Sequence, residues 1–94
     1  MAQLLDNLSI KWCRPGFLYW NNKENKYFPD FYLEDYDLYI DPKNPYKLEG
    51  DRTKLTDVVN NHKIKLLIIK SDKLINETLL DVFNDVTRNE FLVI

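Results

Sequence analysis

The chain has 94 residues and a net charge of −2, which bounds it to one domain with a modest core. Its residues, 45% hydrophobic and 30% charged, are those of a soluble globular protein, and no run is long enough to span a bilayer. Cys13 is the only cysteine, which excludes an internal disulfide; with no charged-then-apolar leader, an intracellular (cytoplasmic) setting is expected, with Cys13 a small core or edge residue. The acidic balance argues against a broad phosphate-binding footprint, so a nucleic-acid partner would need most of its affinity supplied elsewhere.

Leu4, Leu5 and Leu8 fall at helical spacing within Met1–Leu8, which has no N-cap and reads as the last turns of a helix. Ile10–Cys13 is a short extended piece, stopped by Arg14-Pro15-Gly16. Phe17–Trp20 is aromatic and strand-like, and Asn21–Lys26 is a polar turn. Tyr27–Leu33 and Asp37–Asp41 are predicted strands around Glu34-Asp35-Tyr36. A loop with Pro45 and Gly50 follows, and Asp51 is the predicted N-cap of the next helix. Leu55, Val58, Val59 and His62 mark one face of that helix. Ile64–Ile69 is nearly continuous apolar sequence, the pattern of a strand buried on both faces. Asn76–Val86 predicts a second amphipathic helix with Leu79, Leu80 and Phe83 inward, and Phe91–Ile94 is an apolar end that must pack or pair. The expected fold class is α/β. It is a mixed sheet of about four strands flanked by helices, in the order helix, three-strand meander, helix, strand, helix. The strand after the crossover helix should lie parallel to its partner, by a right-handed crossover.

The chemistry is concentrated in Pro29-Asp30 and Asp41-Pro42-Lys43. Pairing Leu33 with Leu38 sets Asp30 opposite Asp41. Side chains alternate along a strand, so one face then holds Phe31, Leu33, Leu38 and Ile40, and the other holds Asp30, Tyr32, Tyr39, Asp41 and Lys43. A slip of one residue would turn both aspartates into the core, so the apolar set specifies the register. Directly opposed Cβ atoms lie about 4.5–5.5 Å apart. Two carboxylates that close repel unless a cation sits between them. Mg²⁺ suits such a pair, since it takes one or two carboxylates and keeps its waters. Lys43 is positioned on the same face to hold a water or neutralise charge on a phosphate. Together these are the parts of metal-assisted phosphodiester cleavage. The competing account is a solvated outer face, because Asp-Pro commonly opens turns and Asp-x-Lys alone carries little information.

The run Tyr27-Phe28-Pro29-Asp30-Phe31-Tyr32-Leu33, followed by Leu38-Tyr39-Ile40-Asp41-Pro42-Lys43, resembles the PD-(D/E)XK nuclease superfamily. Within it the chain is most similar to small phage-type endonucleases related to very-short-patch repair nucleases, including catalytic domains of some homing endonucleases. The resemblance runs from Leu4 to about Leu74. It implies a restriction-endonuclease-like fold, with Asp30 and Asp41 as metal ligands for Mg²⁺ or Mn²⁺ and Lys43 as the catalytic lysine. It also implies DNA as substrate, a separate DNA-binding module outside this chain, and a second copy of the chain as a candidate partner in a homodimer. Three departures stand out. The repair nucleases have histidines near their metal, whereas His62 here lies on the apolar face of a helix and reads as a core or helix-end residue. The x position is Pro42, which suits a strand end. Many relatives carry a glutamate about two turns before Leu4-Leu5-Asp6, a position that falls before Met1, so 1–94 reads as one catalytic domain that is either truncated at its N-terminus or never carried that acid.

The expected function is a metal-dependent DNA endonuclease, a phosphodiester hydrolase acting through Asp30, Asp41 and Lys43. The alternative is a nuclease-fold module that binds or supports without catalysis. Arg14, Lys47, Arg52 and Lys54 are candidate phosphate contacts that read more readily as plain surface charges. Tyr19, Tyr32 and Tyr39 are candidate groove-lining residues, or a tyrosine-rich face covered by a helix.

Overall fold

The computed structural model describes residues 2–42, 45–69, 83 and 91–93. Among them the elements run α1 (Ala2–Asn7), β1 (Leu18–Trp20), β2 (Asn25–Tyr27), β3 (Phe31–Leu33), β4 (Leu38–Pro42), α2 (Pro45–His62), β5 (Lys65–Ile69) and β6 (Phe91–Val93). The chain is an α/β fold whose main sheet is mixed and four-stranded, in the order β3-β4-β5-β6. β3 and β4 are antiparallel, while β5 runs parallel to both β4 and β6. α2 carries the chain from the end of β4 to the start of β5, and a crossover of this kind is what a parallel pair requires. Four of the five residues of β5 are buried, as expected of a strand covered on both faces.

α1 stops through its backbone. Ser9 takes a left-handed conformation (φ 58°), the Ile10 N–H donates to the Leu5 carbonyl at 2.9 Å, and the Ser9 N–H donates to the Asp6 carbonyl at 3.0 Å. These two bonds satisfy carbonyls that the helix end would otherwise leave open.

Three expectations are corrected. The predicted meander is divided: β1 and β2 form a separate two-stranded sheet, and the predicted strand Tyr27–Leu33 breaks after Tyr27. Pro29 lies in the break, and its missing N–H cannot serve a sheet ladder. The fourth strand of the main sheet is instead β6, from the apolar segment near the C-terminus, which pairs with β5. Asp51 is not an N-cap, because α2 begins at Pro45. A proline suits the first helical position, where its fixed φ is already helical and no N–H is needed. Gly50 then lies inside the helix, which costs about 1 kcal/mol relative to alanine and is tolerated. The predicted helix over 76–86 falls outside the described residues except for Phe83, which is buried.

The sheet is packed on both faces. One cluster joins Leu5 and Ile10 to Phe31, Leu33, Leu38, Ile40, Leu67, Ile69 and Phe83. The other sets Leu55, Val58 and Val59 of α2, with Tyr27, against Leu66 and Ile68. Residues alternate strictly between the clusters along β4 and β5, so the register is specified from both sides. Cys13 is not a core residue; it is exposed and forms an isolated antiparallel bridge with Tyr32, at the β3 edge. Among the described residues no helix is long and apolar enough to cross a membrane.

Candidate functional site

The β3–β4 hairpin carries the first acid pair. Phe31 pairs with Ile40, Tyr32 with Tyr39 and Leu33 with Leu38, which is the register the apolar pattern predicts. The loop is closed by Tyr36 and Asp37 N–H groups donating to the carbonyls of Leu33 and Glu34, each at 3.3 Å. Asp37 takes the left-handed conformation there (φ 48°), which aspartate tolerates. Its carboxylate accepts from the Tyr32 hydroxyl at 2.8 Å, and that bond is the main reason the Tyr32 phenol is pushed up to about 12. Tyr32 and Tyr39 stack across the strands with ring centroids 4.8 Å apart.

One step beyond the Phe31–Ile40 pair, Asp41 lies on β4 and Asp30 in the bend before β3. Their environments differ. Asp30 is exposed, whereas Asp41 is 5% exposed and is the one buried charged residue among those described. The expected solvated outer face is therefore not what surrounds Asp41. α2 and the β1–β2 hairpin cover that face of the sheet, and Tyr39 packs half-buried into the cluster beneath them.

Tyr27, at the end of β2, reaches into this layer, and its hydroxyl donates to Asp41 Oδ2. Its phenol is held far above the usual tyrosine range. Burial is the largest cause, followed by the Asp41 charge and hydrogen bond, and then by the charges of Asp30 and Asp51. Three carboxylates, from β4, the pre-β3 bend and α2, thus act on one hydroxyl. A cation adjoins them. Lys54 Nζ lies 5.4 Å from the Tyr27 ring centroid and 3.4 Å from Asp51 Oδ1.

Tyr27 and Asp51 were not expected in the site, and Lys54 was expected only as a loose phosphate contact. Asp51, Lys54, Leu55 and Val58 share i, i+3, i+4, i+7 spacing, so the apolar stripe of α2 extends one turn back into a polar end. Starting the helix at Asp51 hid that turn. Lys43 lies outside the described residues. His62 is the last residue of α2, exposed, and its Nε2 donates to the Tyr19 carbonyl at 2.6 Å; the helix-end reading holds, away from Asp41. Arg14 lies over the Phe31 and Trp12 rings, 5.4 and 5.9 Å from their centroids.

Among the described residues no group of three or more His, Cys, Asp and Glu side chains is arranged to hold a metal ion. The donor chemistry nonetheless fits a hard divalent cation. Mg²⁺ uses only one or two carboxylates from protein, and the charges of Asp41, Asp30 and Asp51 all act on the Tyr27 hydroxyl. Asp30 and Asp41 are the residues that would hold it.

The raised phenol has a consequence for stability. A tyrosine whose folded pKa exceeds its unfolded value of about 10 stabilises the fold below pH 10 and loses that contribution as pH rises through the folded value. The chain should weaken above pH 10, by at most about 1.4 kcal/mol per pH unit from the buried Tyr27. Tyr27→Phe removes this group and should flatten the alkaline limb. At pH 7 the same variant loses a hydrogen bond to a buried carboxylate, costing roughly 1.5–3 kcal/mol. Urea melts at pH 7 and pH 10.5 read both effects. An alkaline slope unchanged by the substitution would show that Tyr27 ionises as freely in the fold as outside it.

Comparison of the chain with protein-family models, with curated proteins and with solved structures gives no match.

Proposed function

We propose that the chain is the catalytic domain of a metal-dependent DNA endonuclease, with Asp30 and Asp41 as metal ligands and Lys43 as the catalytic lysine. The observation that carries this reading is the buried charge of Asp41, joined by Asp30 at the single hydroxyl of Tyr27. A buried carboxylate is costly and is kept only where it is paired or hydrogen-bonded, as Asp41 is by Tyr27, and a core built for stability alone has no need of one. The expected place of the enzyme is inside a cell, as a phage-type homing or mobile endonuclease resembling the PD-(D/E)XK group.

Each residue has a task that follows from its position. A divalent ion held by the aspartates supplies an acidified water and a Lewis acid for the leaving oxygen. Asp41 is fixed on β4, and the Tyr27 hydroxyl donates to its Oδ2, which restrains the carboxylate. Asp30, exposed at the bend, gives the second ligand from the solvent side. Lys43 follows Asp41 by two residues and supplies positive charge to the phosphate oxygens as charge develops on them.

The test is isothermal calorimetry with Mn²⁺ and Mg²⁺, beside a plasmid-nicking assay. Binding should be measurable in the native chain and weaker by about tenfold or more in Asp30→Asn, since one of two charged ligands is lost. Equal binding in native and variant chains would remove Asp30 from the site. Metal binding without nicking would favour a nuclease-fold module that binds but does not cut.

A further inference from the structure

The turn between β1 and β2 is the most strained backbone described. Asn21, Asn22 and Lys23 are all left-handed, at φ 55°, 57° and 69°. Single asparagines visit this region, but three successive residues without a glycine cost of order 1–3 kcal/mol each. The turn is held from α2. The Asn21 N–H donates to Asp57 Oδ2 at 2.7 Å, and Asn61 Nδ2 donates to Asp57 Oδ1 at 2.6 Å. Each Asp57 oxygen thereby accepts a hydrogen bond.

Between this turn and α2 lies a cleft of about 580 Å³, lined by Trp20, Asn21, Asn22, Thr56, Asp57 and Asn60 among others. A second hollow of about 320 Å³ shares Trp20 and Asn22 with it and ends at His62. The first cleft is lined by an indole, hydroxyls and carboxamides, with one carboxylate (Asp57) and one guanidinium (Arg52) of opposite charge, and Lys23 lines the second. Asn22 and Asn60 are exposed and make no side-chain hydrogen bond among the described residues. A carboxamide offers a donor and an acceptor side by side, which matches the edge of a nucleobase, and an indole face stacks on any base. A cleft made for phosphate would instead be dominated by Lys and Arg.

We infer that this cleft is a nucleobase-binding site for single-stranded DNA, with Trp20 as the stacking face and Asn22 and Asn60 as edge-reading groups. The choice of DNA rests on the endonuclease reading above. The placement supports that choice. Lys54, over the Tyr27 ring, and Asn60 are on the same helix, separated by a rise of about 9 Å. Lys54 packs over the ring of Tyr27, whose hydroxyl bonds Asp41, so α2 links the cleft to that carboxylate. The cleft would hold an unpaired base beside the scissile bond, and the strained turn keeps Asn22 presented without rearrangement on binding.

The test is fluorescence anisotropy of a labelled single-stranded octamer with the 94-residue chain in EDTA, where no metal-dependent cleavage runs. The result is thus independent of whether the chain cuts DNA. An abasic octamer of the same length is the comparison. The base-bearing strand should bind about tenfold tighter than the abasic one, and a duplex should gain no such advantage. Asn22→Gly with Asn60→Ala should remove most of that difference. Glycine relieves the positive φ at position 22, and alanine favours α2, so both changes spare the fold. Equal affinity for abasic and base-bearing strands, or a double variant that binds like the native chain, would overturn the proposal. A binding advantage kept while the Asp30→Asn metal test fails would leave the cleft standing and the nuclease reading refuted.

Discussion

Asp41→Asn should reduce metal-dependent nicking by roughly a thousandfold, a loss of about 4 kcal/mol in transition-state stabilisation. The substitution keeps the volume and removes the charge that draws a divalent ion into a buried position. Its carbonyl oxygen can still accept from the Tyr27 hydroxyl, so the contact that fixes β2 to β4 survives in altered form. The new NH₂ needs an acceptor in a site that is 5% exposed, and failing to find one costs roughly 1–3 kcal/mol. A domain of this size carries about 5–9 kcal/mol of stability, so the variant should fold at 25 °C. Lost activity in a folded chain then reports on chemistry. Circular dichroism fixes the folded fraction, and plasmid nicking with Mn²⁺ reads the rate. Nicking within about tenfold of native would mean that the buried carboxylate is structural and that the reacting centre lies elsewhere.

The parts of this site differ in how legible they were, for physical reasons. The β3–β4 register was readable because Phe31, Leu33, Leu38 and Ile40 can face the core in only one phase, and the sheet adopts that phase. β5 was readable because few polar residues interrupt it, and its parallel pairing followed from α2 standing between it and β4. The division of the meander was not readable from propensity, since Tyr27 and Phe28 favour strands; only Pro29 marked the break. The start of α2 was misplaced because Gly50 and Pro45 look like loop residues, although a proline at the first turn is favourable. That error concealed Asp51 and Lys54. The Tyr27–Asp41 contact joins two different sheets and depends on how the β1–β2 hairpin settles on α2, which no local pattern carries. Alternation distinguishes the two faces of the hairpin, but not which of them another layer covers, so a helix-covered tyrosine face and a solvated one stood as alternatives.

Lys43→Ala should lower the nicking rate by about a hundredfold, or about 2.7 kcal/mol, while leaving metal affinity unchanged or slightly improved. The two readouts separate because the lysine and the aspartates act on different partners. Asp30 and Asp41 offer negative oxygens to a cation. Lys43, two residues after Asp41 in the sequence, offers positive charge that is useful only when a phosphate is present and most useful as its oxygens gain charge. Removing an ammonium from the neighbourhood of a cation site also removes a repulsion, so metal binding should not weaken. An interaction stronger in the transition state than in the ground state lowers the rate on removal and leaves substrate binding nearly intact. Lys43→Arg should recover part of the loss, because the charge returns but the guanidinium is wider and delocalised. The measurement is single-turnover nicking beside Mn²⁺ calorimetry on each variant. Parallel losses in rate and metal affinity would make Lys43 a support for the aspartates, and an unchanged rate would remove it from the reaction.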